Sequence, residues 1–426
     1  DVDVITTSDG VPYIPGTSFA GAVRGYFHPE NIRLTDDPEQ YESLFGSPNN
    51  PSGKKTIRQS RFLVSDWKLE GKDASKIVVR DGIKLCRSTG IVEDGKKYDY
   101  QVVDKDAVFS GRIEIPYGSD KEKQFALTLI SALFYELNYC ESGKPDTRAS
   151  DFTGLRFGAK TNAGFGKVCL LEDKTLVLDY DYADRKHLAA WLTRNPGAVL
   201  KVTPKAQPRI STDAWIEGTF KLSNSIIFRS YSTNPADPDA VSFKSSDSYV
   251  MPGTGVKGAV SSRAGKILRT LSSDFTQADR FYNSLFGFVD ESGKKVNNAA
   301  KGRIRVEESI LPNFVAELQT RIKIDRFTGG TIESALFDSM PLFDNPEINN
   351  QSVKIRCEIR KAEPAEIGLL LLVMKDIWAG DLAFGGEKNV GRGVFSGGSI
   401  HLKTSTGDDV IFSGSPSEDA GAISRF

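Results

Sequence analysis

The chain carries one ordered set of motifs twice, and any fold it adopts must accommodate that duplication. Tyr13-Ile14-Pro15-Gly16-Thr17-Ser18-Phe19-Ala20-Gly21-Ala22-Val23 returns as Val250-Met251-Pro252-Gly253-Thr254-Gly255-Val256-Lys257-Gly258-Ala259-Val260, 237 positions later. Ser43-Leu44-Phe45-Gly46 returns as Ser284-Leu285-Phe286-Gly287, 241 positions later. Ile83-Lys84-Leu85-Cys86-Arg87-Ser88-Thr89-Gly90 returns as Ile322-Lys323-Ile324-Asp325-Arg326-Phe327-Thr328-Gly329, 239 positions later. Phe157-Gly158, Asn162, Gly164 and Gly166 return as Phe384-Gly385, Asn389, Gly391 and Gly393, 227 positions later. Matches in one order at nearly constant spacing describe two copies of one domain.

The 426 residues suit two or three domains at roughly 100–200 residues each. An aromatic content of 10% and the lack of a heptad or Gly-X-Y period exclude disorder, coiled coil and collagen. No apolar run approaches the roughly 18–20 residues that cross a bilayer, and no basic-then-apolar leader opens the sequence. A cytoplasmic location without membrane contact is the expectation. Cys86, Cys140, Cys169 and Cys357 stand singly, without a CxxC pair, and are expected to be reduced. His28, His187 and His401 lack a second ligand at helical spacing, which argues against a histidine metal site or triad. The net charge of −1 argues mildly against nucleic-acid binding. A neutral sum can still hide basic clusters such as Lys54-Lys55 with Arg58 and Arg61, Lys294-Lys295, and Lys301 with Arg303 and Arg305. Solvated surface charge is the alternative reading of each.

Residues 196–210 carry three prolines and no helical apolar period, which suits a linker, so the domains are expected at 1–200 and 201–426. Copy two opens with Trp215 to Leu222, whose alternation reads as a half-buried strand. Copy one shows no equivalent; the missing initiator Met favours a sequence that begins late over a lost strand. After each Pro-Gly turn a helix is expected, through Tyr26 in copy one and Leu268 in copy two, capped by Thr17 or Ser18 and by Thr254. Lys123 to Tyr139 and Glu363 to Trp378 read as later helices. Strands are expected over Lys76 to Val79, Ala107 to Ile115, Arg303 to Val306 and Lys354 to Ile359. This order points to an α+β fold of two tandem ferredoxin-like units with insertions.

Pro12-Tyr13-Ile14-Pro15-Gly16-Thr17-Ser18 with Gly21 and Arg24 resembles the signature of RAMP superfamily backbone subunits of type III CRISPR effector complexes. So do Ile322 to Thr331 with Ala335-Leu336-Phe337-Asp338, and Gly385-Gly386 with Asn389-Val390-Gly391-Arg392-Gly393. The two-copy form is similar to the fused subunits of type III-D systems. The resemblance implies modified RNA-recognition-motif folds, each with a thumb hairpin that interrupts guide–target pairing, here from Ile83 to about Val103 and from Ile322 to about Phe343. Tyr98, Tyr100, Phe327, Phe337 and Phe343 could give splayed bases a stacking surface, or could pack the hairpin onto its own domain.

The glycine loops admit two readings. Gly164, Gly166, Gly391 and Gly393 let backbone amides approach a phosphate, with Lys160, Lys167, Lys388 and Arg392 beside them, or they simply turn the chain between strands. Neither loop has Walker spacing, which disfavours nucleotide hydrolysis. The resemblance adds Gly16, Thr17, Ser18, Arg24, Gly253, Thr254, Lys257, Arg326 and Phe327 as guide contacts.

In catalytic members a loop aspartate before the Pro-Gly motif supports metal-dependent cutting of target RNA. Aligning the family pattern with Asp1-Val2-Asp3-Val4 selects Asp1, then Asp3; in copy two the longer, proline-bearing loop offers Asp237 and Asp239. Asp1 and Asp237 are the metal candidates, for Mg²⁺ or Mn²⁺. Acidic loop caps are the plain alternative. The implied function is a guide-RNA-binding, target-cutting endoribonuclease subunit. Its implied partners are guide RNA, target RNA, other RAMP subunits and a large polymerase-like subunit. The alternatives are a non-catalytic scaffold of the same complex and a metal-independent guide-processing nuclease, for which His28 is the residue to test.

Overall fold

The computed structural model describes residues 3–47, 58–71, 77–86, 91–137, 154–230, 237–288 and 299–414. Asp1, Cys140 and the Lys54-Lys55 and Lys294-Lys295 clusters lie outside them. Among the described residues the chain is a mixed α/β structure of seven α-helices and mostly antiparallel strands.

Copy one holds α1 (Gly16–Tyr26), α2 (Pro38–Phe45) and α3 (Asp120–Glu136), with α4 (Arg185–Leu192) after its glycine loop. Copy two holds α5 (Gly253–Leu271), α6 (Phe275–Phe286) and α7 (Pro364–Trp378). The expected helices are present, but the hydroxyl caps are not. Pro15 and Pro252 precede α1 and α5 without a side-chain cap, and the Gly16 amide donates instead to Asp66 Oδ1 at 2.8 Å. A carboxylate 50 residues away takes the role assigned to Thr17 or Ser18, both of which face solvent.

The duplication extends to individual contacts. Asp37 caps α2 as Asp274 caps α6. Gly46 and Gly287 follow those helices at φ +78° and +83°, each pressed against backbone. Arg61 Nε donates to the Ser43 carbonyl and pairs with Glu122, while Arg303 Nε donates to the Ser284 carbonyl and pairs with Glu366. Tyr13–Ile14 pairs antiparallel with Trp67–Leu69 as Ser248–Met251 pairs with Ser309–Ile310.

Copy two is built on a five-stranded antiparallel sheet in the order Ile304–Val306, Val353–Ile359, Ala214–Leu222, Phe395–Thr404, Asp409–Phe412. Ala214, Ile216, Phe220 and Leu222 point to one face, where they join Val256, Val260, Leu370 and Val373 of α5 and α7 in the core. The expected strands are found, with Ala107 to Ile115 divided into Phe109–Ser110 and Ile113–Glu114. The opening strand is central in the sheet and shows the expected alternation from Ile216 to Leu222, with Glu217, Thr219 and Lys221 on the less buried face; Trp215 departs from it at 4% exposed, with Arg356 over its ring at 4.7 Å and His401 edge-on. Copy one has its own core of Phe19, Val23, Leu44, Phe62, Leu129 and Phe157 among others. Among its described residues the only strands in the place of that sheet are Leu63–Val64 and Ile113–Glu114, paired with each other.

The copies meet through buried charge. Arg156 pairs with Glu307 at 2.8 Å, and Arg209 of the connecting segment reaches Glu136 at 3.2 Å and Asp213 at 2.9 Å. Tyr26 donates to Glu136 at 2.5 Å. Burial pushes the Glu136 carboxyl upward against the pull of Arg209, so the pair survives only with its partners in place. Cys86 and Cys357 are free thiols, whereas Cys169 is disulfide-bonded, against the expectation of four reduced cysteines. Scattered spacing hid a pairing made only in space.

Candidate nucleic-acid interface

Each copy projects a two-stranded hairpin. In copy one Ile77–Leu85 pairs with Val92–Val103, and in copy two Gln319–Ile324 pairs with Thr331–Met340 around a turn at Asp325–Gly330. Asp325 Oδ1 accepts the amides of Phe327 and Thr328, which folds the tip and holds the carboxyl below its ordinary value. Phe327 is 99% exposed at that tip. Ile322 and Leu336 face each other across the strands and are also exposed. A large ring left bare on a charged surface is a feature that base stacking would explain.

The five aromatic candidates divide. Tyr98, Phe327 and Phe337 are exposed. Tyr100 is buried beside Thr254, and Phe343 belongs to a separate strand, Leu342–Phe343, packed on Ser225–Ile226. Tyr100 is thus closed off from a base, and Phe343 is half-buried outside the hairpin. Lys160 sits over the Tyr98 and Tyr100 rings at 4.6 and 4.3 Å. The first hairpin also reaches copy two: Arg80 pairs with Glu308 at 2.8 Å between the rings of Phe165 and Phe243.

The glycine loops are exact geometric counterparts but not open cradles. Lys160 and Glu387 enter them in left-handed conformation, Thr161–Ala163 and Lys388–Val390 form the tight turns, and Gly164 and Gly391 leave them at φ +95° and +84°. A Cβ on Gly166 or Gly393 would lie 1.9 or 1.8 Å from the carbonyl oxygen of Phe157 or Phe384, so these glycines serve backbone packing. Gly164 is pressed against the Glu308 amide of the other copy; Gly391 alone of the four faces open space. Gly16 is likewise pressed on the Val64 carbonyl and Gly253 on that of Ala163. The Arg392 side chain is buried, bonded to Glu387, Ser225 and Gln319. Desolvation opposes ionisation of Glu387, but hydrogen bonds from Arg229 and Arg392, with Arg321 nearby, hold its carboxyl below the ordinary 4.5. That network was not foreseen: an Arg beside two glycines looks the same whether it faces solvent or a carboxylate.

What remains available to a strand is the exposed Thr17, Ser18, Lys167, Arg326, Lys388 and Gly391, with Arg24, Lys160, Thr254 and Lys257 partly exposed. Lys257, on the second turn of α5, is pushed down to about 8 by burial and by Lys301.

The acidic segments lie at the hairpin bases. Asp3 is exposed, and the next amide, of Val4, donates to Gln101 Oε1 on the first hairpin at 3.2 Å. Asp237 and Asp239 are exposed just before the strand Ala240–Ser242, which runs parallel to the end of the second hairpin. Asp239 Oδ2 accepts the Asp338 amide at 3.0 Å, and Asp338 Oδ1 is buried without a hydrogen bond. Asp338 was visible in the sequence only as the end of Ala335-Leu336-Phe337-Asp338. Carboxylate oxygens in such a place suit a hard divalent cation. Among the described residues no three potential ligands cluster, so water and phosphate oxygens would complete its shell. His28 is exposed beside Glu30 and the Tyr41 ring, without further catalytic company among the described residues.

No helix among the described residues is long and apolar enough to cross a membrane. No curated protein sequence matches the chain. The family model of the RAMP superfamily matches residues 1–169 and 210–396, most of both copies. The chain belongs to the RAMP superfamily, as two copies in one polypeptide, with the CRISPR-associated RNA-binding function that membership implies.

Proposed function

We propose that this chain is a tandem backbone subunit of a type III effector complex that holds guide RNA along both copies and cuts the paired target RNA beside each hairpin. The observation that carries this reading is the repeated placement of an acidic segment at a hairpin base, Asp3 beside Gln101 and Asp239 beside Asp338. A base displaced onto the exposed Phe327 would leave its sugar free to rotate. The 2′-oxygen could then attack the adjacent phosphorus in line, forming the O2′–P bond as the P–O5′ bond breaks, which leaves a 2′,3′-cyclic phosphate and a 5′-oxygen that takes a proton from water to depart as a hydroxyl. Asp239 and Asp237, exposed in copy two, and Asp3, exposed in copy one, would accept the hydroxyl proton or hold the cation, with Asp1, outside the described residues, as the further candidate from the sequence. A bound Mg²⁺ or Mn²⁺ would supply positive charge to the phosphoryl oxygens. The resemblance to type III backbone subunits adds other RAMP subunits and a large polymerase-like subunit as the partners of this reading.

The test uses the complex purified with its operon partners. The wild type is expected to carry one short RNA of uniform length and to cut complementary RNA in Mg²⁺. Changing Asp1, Asp3, Asp237 and Asp239 together to Ala is expected to abolish cutting and leave target binding intact. Cutting that persists in the quadruple variant refutes the catalytic part and leaves a scaffold.

Lys257 gives a separate pH prediction. An RNA phosphate favours its charged form, so binding takes up a proton once the free protein is above about pH 8. RNA affinity at constant salt is therefore expected to fall as pH rises from 7 to 9.5, and Lys257→Arg, which stays charged, to flatten that slope. Identical pH profiles for the two proteins would remove Lys257 from the interface.

A further inference from the structure

Between the copies, where the connecting segment passes the edge of the five-stranded sheet, lies a cavity of about 310 Å³. Arg209, Lys301, Arg303, Arg305, Arg360 and Lys361 line it. Four carboxylates engage three of these cations: Glu136 and Asp213 hold Arg209, Glu366 holds Arg303, and Glu358 holds Arg305. Six positive against four negative groups leave an excess of two. Three of the cations, Lys301, Arg360 and Lys361, have no carboxylate within ion-pair distance among the described residues, and the second carboxylate on Arg209 reduces their surplus from three to two. Lys301 meets only the Thr161 hydroxyl at 3.3 Å, and Arg360 lies over the Tyr26 ring at 5.3 Å. Glu136, which interacts with Arg360 electrostatically, is already shared by Arg209 and Tyr26. Lys301 also adds, after burial, to the downward shift of the neighbouring Lys257. Asn162 adds a polar side chain to the wall.

We infer that this cavity between the copies binds a phosphate group. A doubly charged tetrahedral oxyanion matches the surplus, and the fork of Arg360 with two ammonium groups offers donors from several directions. The volume lies at the lower end of ordinary ligand pockets and suits one nucleotide, not a flat surface contact. The phosphate could come from a free nucleotide or from a residue of a bound strand, and the chemistry of the cavity is common to both. The inference does not rest on target cutting.

The test titrates the full chain with inorganic phosphate and with AMP at constant ionic strength, followed by calorimetry and ³¹P NMR. Saturable binding is expected. Lys301→Gln with Lys361→Gln should weaken it by about tenfold or more, the loss of two charge-assisted contacts. Both lysines are exposed, so the melting curve should not change; Arg360→Gln is the second, independent variant. A short single-stranded RNA added to the AMP complex identifies the source. Displacement of AMP assigns the phosphate to the strand, and simultaneous binding assigns it to a free nucleotide; either supports the site. Absence of saturable binding, equal affinity in the double variant, or equal competition by acetate overturns it. Loss of AMP binding with RNA binding retained would separate this site from the guide path.

Discussion

Gly393→Ala is expected to destabilise the chain by about 3 kcal/mol or more, while Gly391→Ala, two residues earlier, costs only about 1–2 kcal/mol. Both glycines have positive φ, +74° and +84°, so each substitution incurs the left-handed cost of an L-residue. They differ in what surrounds them. The added methyl at Gly391 meets open space, whereas at Gly393 it would lie 1.8 Å from the Phe384 carbonyl oxygen. Phe384 is fully buried, and its amide donates to the Gly393 carbonyl at 2.9 Å, so relief of the clash must break that bond or shift the ring. Copy one repeats the experiment with different neighbours. Gly166→Ala meets the Phe157 carbonyl and should match Gly393→Ala, while Gly164→Ala meets the Glu308 amide and should loosen the junction between copies. Equilibrium denaturation reads all four. Equal small losses at Gly391 and Gly393 would mean that the loop glycines serve only backbone conformation, and would reopen the phosphate-cradle reading.

How much of this was legible in the sequence depends on whether the signal was local. The duplication, the helices after the Pro-Gly turns and the segment Pro364–Trp378 announced themselves, because a repeat and a 3.6-residue period need no knowledge of partners. Interactions between distant residues did not. Asp66 caps α1 from 50 positions away, which no capping rule sees, and the hydroxyls at Thr17 and Ser18 were the nearer but wrong choice. The alternation from Trp215 to Leu222 reads as a half-buried strand, and it does not show that Arg356 and His401 cover the Trp215 ring. Arg392 carries the same residue type a phosphate contact would need, yet Glu387, Ser225 and Gln319 claim it. Of the candidate site, the hairpin tip at Phe327 and the acidic segments were indicated by the family resemblance, not by composition or periodicity. Their adjacency, Asp239 to Asp338, required the parallel pairing of Ala240–Ser242 with the second hairpin.

The second large effect concerns the target strand. If each copy has its own acidic segment at its own hairpin, the two should act on separate phosphates of one target. A variant with Asp1→Ala and Asp3→Ala should lose the cut beside the first hairpin and retain the other. A variant with Asp237→Ala and Asp239→Ala should do the reverse, each loss amounting to at least about a hundredfold in rate for removal of a general base or cation ligand. Neither pair should weaken guide binding, since Asp3, Asp237 and Asp239 are exposed and lie apart from the glycine loops in sequence. The measurement is the cleavage map of an end-labelled target in the assembled complex, read for the wild type and both double variants. Two cuts that vanish one at a time, each with its own aspartate pair, are the predicted result; a map unchanged in both variants would contradict the account.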